Sequence, residues 1–531
     1  MDHPPKRQRD EGEEAVGDDS GPASLSRPIS PPRKKRQLEV PSVIASPWQL
    51  TWIRDLPESL NRDAVALKDL LGDPLISECW EFNYLHDIHF LMEAFDPDTR
   101  HLVKVHVVHG FWKQEDANRQ MLVVLGQQEA SEFANVELHA AFMPEMFGTH
   151  HSKMMILFRH DDTAQVIIHT ANMIAKDWTN MTNAVWRSPL LPLATAASAS
   201  ASATADTSSD PPPIGSGQRF KADLLNYLRC YDRRRVVCKP LADHLCKYDF
   251  SAIRAALIAS VPGRHDAHDV SQTSWGWSAL RRTLRSVPCS ADGEAEVVVQ
   301  ISSIATLGAK DDWLQRTLFD SLGRSSNAGT KRPSFKVVFP TADEIRKSLD
   351  GYSSGGSIHA RIQSQQQAKQ LQYLRPIFYH WANDSERGRA LPEDAETLDA
   401  GRARAAPHIK TYIRYNSSRR IMDWAMLTSA NLSKQAWGEA ARTTGELRIS
   451  SWEIGVLVWP ELLAKGSVMV PTFQSDTPRR EEAPEAGDGR PLVGVRIPYN
   501  LPLQQYGSSE IPWVASMAHS EPDRFGRVWL D

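Results

Sequence analysis

The chain has 531 residues, of which 41% are hydrophobic and 24% are charged, which is ordinary for a soluble globular protein and long enough for more than one domain. The formal net charge of -4 at pH 7 argues against a generally basic nucleic-acid binder, so any DNA-binding groove must be locally basic. The five cysteines are few and include no Cys-x-x-Cys pair, which argues against a disulfide framework and indicates an intracellular protein with reduced thiols.

Residues 1–45 are rich in proline and in charges of both signs, and we expect them to be disordered. They contain no apolar stretch of a secretory signal, and the chain has no run of about 18 apolar residues that would form a transmembrane helix. Two basic clusters, Lys6–Arg9 and Arg33–Arg36, are either solvated charge runs or nuclear import signals. The second follows two prolines and would stay exposed, which favours the nucleus.

The first globular domain is predicted to start near Ser46. Leu102–His109 and Met121–Leu125 have the apolar, β-branched character of buried strands. Asp63–Leu71 and Ile88–Phe95 have the pattern of helices. Alternating strands and helices predict an α/β domain.

A low-complexity stretch, residues 194–217, interrupts this domain and is predicted to be a surface insertion. Helical patterning resumes at Lys221–Leu228, and the domain is predicted to cover residues 46–265. The second domain is assigned to residues 266–531, with a buried strand at Val297–Ile301.

A histidine and a lysine two residues apart stand in the first domain, in the sequence Gly-Thr-His-His-Ser-Lys-Met-Met. In an extended strand, residues i and i+2 point to the same face, so His151 and Lys153 should project together. An apolar run, Val166–Ile168, follows and leads to His-Thr-Ala-Asn, which ends at Asn172.

The second domain repeats this pattern. His408 and Lys410 have the same spacing, and an apolar run leads to Thr-Ser-Ala-Asn, which ends at Asn431. The histidine-to-asparagine spacings are 21 and 23 residues, and each asparagine is followed six residues later by a tryptophan. With 18 histidines, about one His-x-Lys match is expected by chance. Two strand ends would not need the same polar residues in the same order twice, so we predict an internal duplication.

Such a duplicated set points to phosphodiester chemistry. One histidine can act as a nucleophile while the other acts as general acid and then as base. Two lysines and two asparagines supply donors for anionic oxygens. His150 and His151 would point to opposite faces of a strand, and no carboxylate or cysteine cluster lies near them, so no metal and no cofactor is predicted. The set suits cleavage through a covalent phosphohistidine.

The duplicated His-x-Lys…Asn resembles the phospholipase D superfamily. The aspartate that usually follows the lysine is absent from both copies, and this absence, with the sequences GTHHSKMM, PHIKTY and TSANLSKQAWG, is similar to the tyrosyl-DNA phosphodiesterases. The resemblance covers roughly residues 46–531. It implies two similar α/β domains related by a pseudo-twofold axis, with the active site at their junction.

The resemblance also implies the activity. The substrate would be a DNA 3′ end, single- or double-stranded, joined through its phosphate to a tyrosine of a stalled topoisomerase I peptide or to another 3′ adduct. Hydrolysis would be independent of metal and would leave a 3′-phosphate, and the protein would act as a monomer. Symmetry leaves open which histidine attacks, and the resemblance assigns His151 as nucleophile and His408 as general acid and base.

Glu453 is either a surface carboxylate or, as the resemblance implies, a support of the active site. Its counterpart in the first half would be Asn183, where the family typically has glutamine. The shorter amide would reach less far or act through water.

Several residues are candidates for DNA contacts. The turn Ser302–Gly308 follows a predicted strand and precedes a helix predicted to begin at Asp311, so it is either an ordinary helix start or a phosphate cradle. The resemblance favours the cradle, although Ala305 and Thr306 stand where glycine and serine are expected. Aromatic residues are more often core than base platforms, but Phe147 precedes the first motif directly and is predicted to stack on a base. The complete predicted set is Tyr84, Phe147, Asn183, Ser302, Ser303, Thr306, Ser357, Ser433, Lys434 and Trp513.

Two alternatives remain at this point. A phospholipase is disfavoured because no lipid-facing amphipathic segment is evident. A DNA-end-binding protein that has lost catalysis is disfavoured because both His-x-Lys copies are intact.

Overall fold

The computed structural model describes residues 43–110, 117–195, 211–269, 273–291, 294–392, 394–416, 420–482 and 489–530, all within one compact unit. The predicted disordered tail lies outside the described residues except for its last three positions. Most of the predicted insertion, residues 196–210, also lies outside them. Among the described residues, no helix is both long and apolar enough to cross a membrane.

Twenty strands are described. In chain order they are β1 Val43–Ile44, β2 Trp48–Leu50, β3 Ile76–Phe82, β4 Lys104–His109, β5 Val136–Ala140, β6 Met154–Arg159, β7 Thr163–His169, β8 Ala184–Arg187, β9 Leu191–Pro192, β10 Ala256–Ser260, β11 Gly263–Asp266, β12 Glu296–Gln300, β13 Ser334–Val338, β14 Phe378–Tyr379, β15 Thr411–Tyr415, β16 Met422–Thr428, β17 Glu446–Ile449, β18 Glu453–Val458, β19 Val468–Thr472 and β20 Leu492–Arg496.

The helices between them are mostly short. They are α1 Leu67–Leu71, α2 Ile88–Glu93, α3 Ala117–Ser131, α4 Ala175–Thr179, α5 Gly217–Arg229, α6 Lys239–Leu245, α7 Gly276–Leu284, α8 Phe319–Leu322, α9 Ala342–Arg346, α10 Tyr352–Gly355, α11 Gln365–Leu374, α12 Lys434–Trp437 and α13 Pro460–Leu463. A π-helical turn, Leu314–Leu318, leads into α8, and the 3₁₀ turns are Glu58–Asn61, Cys230–Arg233, Arg375–Ile377 and Arg480–Glu482.

The two large sheets repeat one pairing scheme. In the first sheet the order β5-β4-β3-β6-β7-β8 has two parallel pairs followed by three antiparallel pairs. In the second sheet the order β14-β13-β12-β15-β16-β18 has the same sequence of parallel and antiparallel pairs. Six strands with identical order and sense confirm the predicted duplication and the two similar α/β halves.

The division between the halves differs from the predicted boundary near residue 265. Strand β10 lies before that boundary, but it pairs antiparallel with β18 of the second sheet. At the other end of the chain, β1 precedes the predicted domain start at Ser46 and pairs parallel with β20, also in the second sheet. Both segments therefore complete the second sheet, and this pairing has no local signal in the sequence.

The prediction of a strand at Met121–Leu125 is wrong, because these residues form the middle of α3. A short apolar run fits a buried strand or a helix equally well, and flanking context must decide. Here Met121, Val124 and Leu125 remain largely exposed, so no second layer covers the run as a buried strand would require. The other predicted strand and the helices at Asp63–Leu71 and Ile88–Phe95 are present with shorter bounds, whereas the helix predicted at Lys221–Leu228 is longer and forms α5.

One continuous apolar core joins the two sheets. It contains Phe82 and Ile168 of the first sheet, Leu427 and Val456 of the second, and side chains of the long helix α5. A separate cluster covers the opposite face of the first sheet. The shared core holds the ends of β6 and β15 in a fixed relation, which places the two His-x-Lys segments.

In the second half of the chain, a buried histidine, His380, contacts two carboxylates. His380 Nε2 lies 2.9 Å from Glu510 Oε2, and His380 Nδ1 lies 3.2 Å from Glu344 Oε2. Burial alone would lower the pKa of His380, but the two carboxylates raise it from 6.5 to about 9. A histidine whose pKa is higher in the folded state stabilises the fold below its unfolded pKa and loses this effect as pH rises through the folded value.

His380→Gln is therefore expected to cost on the order of 2 to 3 kcal/mol of unfolding free energy at pH 6, and this cost should fall progressively as pH rises from about 6.5 through about 9. Urea titrations from pH 6 to pH 10 measure this difference. His265→Gln is the matched control, because burial lowers the pKa of His265 and its ring faces a backbone carbonyl. A penalty for His380→Gln that stays constant across this range would contradict the ion pairing.

Candidate active site

Each His-x-Lys segment is an extended stretch just before a strand, and each is bonded to the opposite half. The His151 backbone N–H donates to the Trp452 carbonyl at 3.0 Å. The His408 N–H donates to the Thr182 carbonyl at 2.9 Å. In both cases the acceptor immediately precedes the residue predicted to support the histidine. The pairing therefore delivers each supporting residue, Glu453 or Asn183, to the histidine of the other half.

The Glu453 carboxylate orients the His151 imidazole. Glu453 Oε2 lies 2.9 Å from His151 Nδ1 and accepts a 2.6 Å hydrogen bond from Ser429 Oγ, and the carboxylate is buried. An ionised carboxylate only accepts hydrogen bonds, so the proton of a neutral His151 resides on Nδ1 and the Nε2 lone pair is available. The geometry agrees with the predicted supporting role of Glu453.

The amide of Asn183 takes the corresponding position at His408. Asn183 Oδ1 lies 3.2 Å from His408 Nδ1, and Asn183 Nδ2 donates to the Asp177 carbonyl at 2.8 Å. The shorter amide thus reaches the imidazole directly, without a bridging water. Asn183 is completely buried, which contradicts the inclusion of this residue among the predicted DNA contacts.

Asp177 was missed by the sequence reasoning. Its buried Oδ2 lies 3.3 Å from His408 Nδ1 and accepts 2.8 Å hydrogen bonds from both the backbone and the side-chain amide of Asn172. The position equivalent to Asp177 in the second half is Ala436, because both directly precede the repeated tryptophan. A search for repeated polar residues cannot find a group that occurs in one copy only.

Two buried lysines lie beside the histidines. Lys153 Nζ donates to the His151 carbonyl at 3.3 Å, and Lys410 Nζ donates to the His408 carbonyl. Burial lowers the pKa of Lys153 to about 8, and burial together with the Lys153 charge lowers the pKa of Lys410 well below its usual value.

The pKa values of both histidines are also lowered. For His151 the cause is burial, opposed by the Glu453 charge and assisted by Lys153. For His408 it is burial followed by the charges of Lys410 and Lys153. Burial disfavours the cationic forms of all four groups, and an anionic phosphate between them would stabilise these forms.

The two motif asparagines share a backbone contact that explains the repeated tryptophan. The indole N–H of Trp178 donates to the Asn172 carbonyl at 3.0 Å, and that of Trp437 donates to the Asn431 carbonyl at 3.0 Å. In each half the tryptophan six residues downstream therefore fixes the turn that presents the asparagine.

The side chains of the two asparagines have different partners. Asn431 Oδ1 accepts from the backbone N–H groups of Ser302 and Ser303 at 3.1 and 2.9 Å, so the opposite edge of the amide is the Nδ2 donor. Asn172 Nδ2 is held by Asp177, and the buried Asn172 Oδ1 has no hydrogen-bond partner among the described residues. The second half thus presents a preset donor, while the first half must release its amide from Asp177 before it can bind an anion.

Some predicted DNA-contacting residues lie in accessible positions. Phe147 is 59% exposed, and the Tyr84 ring lies 6.3 Å from the His151 ring. Thr306 Oγ1 accepts from Gln367 Nε2 at 3.1 Å, and Lys434 Nζ lies 6.0 Å above the Trp313 ring. Ser303 is partly buried. The contact of these residues with DNA stays a prediction.

Other residues of that set have structural partners. Trp513 is fully buried, and its indole N–H donates to the Ile358 carbonyl at 2.9 Å, which contradicts a role as a base platform. Ser357 is buried and donates to Asp177 Oδ1 at 3.1 Å. Ser302 is buried against Asn431, and Ser433 Oγ caps α12 by accepting from the Gln435 N–H at 3.1 Å. Ser302 thus positions a group of the predicted site, Ser357 supports Asp177, and Ser433 stabilises a helix.

Comparisons with known proteins fit this arrangement. A family model described as tyrosyl-DNA phosphodiesterase matches residues 47–507. A probable tyrosyl-DNA phosphodiesterase of Schizosaccharomyces pombe is 31% identical, and the match covers 94% of this chain and 98% of that protein. Tyrosyl-DNA phosphodiesterase 1 of Arabidopsis thaliana is 28% identical, with 95% of this chain matched to 78% of that protein.

The fold also matches a solved structure. A crystal structure of the yeast tyrosyl-DNA phosphodiesterase superposes with a TM-score of 0.59 at 19% sequence identity. The match covers 89% of this chain and 99% of the yeast chain. At this identity the superposition shows that the two chains share a fold.

Proposed function

Because the chain belongs to the tyrosyl-DNA phosphodiesterase family, we propose that it is a DNA repair phosphodiesterase that hydrolyses the bond between a DNA 3′-phosphate and a tyrosine. The tyrosine belongs to a peptide of stalled topoisomerase I, and other 3′ adducts are further substrates. The product is a DNA end with a 3′-phosphate.

One observation carries this proposal. Two histidines at the junction of the halves are each oriented through Nδ1 by a buried group of the other sheet system, Glu453 for His151 and Asn183 for His408. Each histidine adjoins a buried lysine. Two oriented imidazoles beside two lysines suit in-line displacement at a phosphodiester.

In the first step His151 Nε2 attacks phosphorus, and the bond from phosphorus to the tyrosine oxygen breaks. Glu453 stabilises the positive charge that develops on the His151 ring, as a carboxylate does for an imidazole. His408 donates its Nε2 proton to the leaving phenolate. Burial and the charges of Lys410 and Lys153 disfavour the protonated form of His408, and a negative phosphodiester between the two lysines favours it.

In the second step His408, now neutral, removes a proton from water. The hydroxide attacks phosphorus from the side that the tyrosine left, the phosphorus–nitrogen bond breaks, and His151 is restored. Lys153, Lys410 and the Nδ2 group of Asn431 hold the non-bridging oxygens throughout. Asp177 and Asn183 keep the Nδ1 proton of His408 in place, so that Nε2 performs both transfers.

The direct test is incubation with a single-stranded oligonucleotide that carries a 3′-phosphotyrosine. Conversion to a 3′-phosphate end is expected. Tight binding without turnover would instead support the alternative of a DNA-end-binding protein.

Chelation is expected to leave this reaction unchanged, because the cations that hold the phosphate are lysines. Turnover of the phosphotyrosyl oligonucleotide is measured before and after dialysis against EDTA. A loss that added Mg²⁺ or Zn²⁺ restores would contradict a metal-independent mechanism.

Phe147→Ala is expected to weaken binding of a single-stranded substrate by roughly 1–3 kcal/mol, because the exposed ring stacks on a base. A minimal phosphotyrosine-like substrate without bases should lose far less. The matched control is Met146→Ala, which removes the exposed neighbouring side chain but no aromatic ring. Equal losses on both substrates would show that Phe147 acts through the protein structure.

We further propose that the protein acts in the nucleus, on the basis of the two basic clusters, Lys6–Arg9 and Arg33–Arg36. Both clusters lie outside the described residues. Imaging of a fluorescent protein fused to residues 1–45 tests this. A fusion that remains evenly distributed would exclude these clusters as an import signal.

A further inference from the structure

A cluster of two histidines and a glutamate lies on the first sheet, outside the candidate active site. His106 is on β4, and Glu137 and His139 are on the neighbouring strand β5. The strands run parallel with His106 opposite Glu137 and Val108 opposite His139. Residues 137 and 139 are two apart on one strand, so both side chains share the face of the sheet that carries His106.

The distances within this cluster are those of a metal coordination sphere. His106 Nδ1 lies 3.0 Å from His139 Nε2 and 3.5 Å from Glu137 Oε2. His139 Nε2 lies 3.8 Å from Glu137 Oε1. Zinc–ligand bonds of about 2.0–2.1 Å in a tetrahedron put neighbouring ligand atoms roughly 3.3 Å apart. The three groups already stand close to that spacing.

The surroundings orient the two imidazoles. The Trp80 ring stacks on His106 at 4.0 Å and on His139 at 5.4 Å, which fixes the planes of both imidazoles. The second nitrogen of His106 faces the Glu78 carboxylate at 3.8 Å, the kind of outer partner that orients ligand histidines.

The cluster is also open to solvent. The Glu137 side chain is 67% exposed, while the two histidines are largely covered. An ion can therefore enter from solvent on the side of the carboxylate. Among the residues that the structure describes, this is the only group of three His, Cys or acidic side chains whose ligand atoms all lie within 4.8 Å of one another.

We propose that His106, His139 and Glu137 bind one zinc-class divalent transition-metal ion, with water as a fourth ligand. Two imidazoles and one carboxylate form a ligand set that zinc accepts in proteins. The ion ties the edge strand β5 to β4. It takes no part in the phosphoryl chemistry.

The test uses the full-length, tag-free protein after chelator treatment and removal of the chelator. Titration with Zn²⁺ by calorimetry is expected to show one site per chain and a rise in melting temperature, since binding to the folded state stabilises it. Titration with Co²⁺ adds a visible spectrum of nitrogen and oxygen ligation, distinct from that of cysteine-bound cobalt, and quenches tryptophan fluorescence through the stacked Trp80.

His139→Gln and Glu137→Gln are each expected to weaken Zn²⁺ binding at least tenfold and to abolish the Co²⁺ spectrum. Glu137→Gln changes an exposed side chain and keeps its shape, so it separates metal binding from folding. His89→Gln is the matched control, because His89 is an exposed histidine 3.5 Å from a single carboxylate, Glu132. It should bind the ion as the wild type does.

Two results would overturn the proposal. One is a wild-type protein that binds no equivalent of Zn²⁺, which would leave the cluster as a hydrogen-bonded histidine pair. The other is an affinity for Zn²⁺ that is unchanged in both single variants, Glu137→Gln and His139→Gln. Both readouts are independent of DNA cleavage, so they stand or fall separately from the proposed enzymatic function.

Discussion

His408→Ala is expected to accumulate DNA covalently attached to His151. A phenol has a pKa near about 10, so the tyrosine leaves with modest help from an acid. Water is a poor nucleophile and needs a base to attack the phosphohistidine, and general acid–base catalysis contributes typically about 10²–10⁴-fold. The loss of His408 should therefore slow the second step more than the first. A denaturing gel with labelled 3′-phosphotyrosyl DNA measures the adduct.

His151→Ala is the opposing variant, because it has no nucleophile and should form no adduct. Both substitutions remove one imidazole from the same junction, so a difference between them reports the separate roles of the two histidines. Adduct on His151→Ala but not on His408→Ala would show that the roles are reversed. If both variants cleave normally without adduct, the covalent mechanism is wrong.

Lys410→Met is expected to lower kcat on the order of 10²–10³-fold, the usual effect of removing one donor that stabilises a developing oxyanion. Burial and the charge of Lys153 disfavour the cationic form of Lys410, and the substrate phosphate supplies the compensating negative charge. Methionine retains much of the side-chain volume but no cation. Single-turnover kinetics on the phosphotyrosyl oligonucleotide measure the change.

The matched control is Lys221→Met. Lys221 is less buried than Lys410, but burial also lowers its pKa, and its Nζ donates to the backbone carbonyl of Tyr248, which is not part of the proposed site. It should retain wild-type turnover within a few-fold. A similarly small effect for Lys410→Met would refute the role of this lysine in holding the phosphate.

The repeated motif could be found from the sequence because its constraints are local. The spacing of His151 and Lys153 follows from the two-residue period of an extended chain, and the same spacing at His408 and Lys410 needs no knowledge of the fold. The recurrence of asparagine and tryptophan at equal separation likewise reflects one turn, which the indole N–H closes in both halves. Local geometry of this kind can be predicted from the spacing of residues in the sequence.

Glu453 and Asn183 could be proposed as partners of the two histidines from the family resemblance. The contacts that these residues make depend on the tertiary structure. Asn183 reaches His408 because the segment at Thr182 pairs with the opposite half, 225 residues away in sequence. Asp177 joins the same imidazole without any counterpart in the second half. A contact between residues so far apart is set by how two sheets pack, and no spacing rule contains that information.

The tertiary structure also decided which apolar and aromatic side chains are covered. Met121–Leu125 has strand-like composition but forms part of α3, because only one side of the run finds a partner layer. Trp513 has the chemistry of a base platform but is enclosed by Tyr352, His519 and Trp529. The residue type determines what a side chain can bind, whereas its burial depends on how the whole chain packs. The sequence alone therefore identified the proposed reacting groups. Only the tertiary structure showed which candidate side chains are accessible to a substrate.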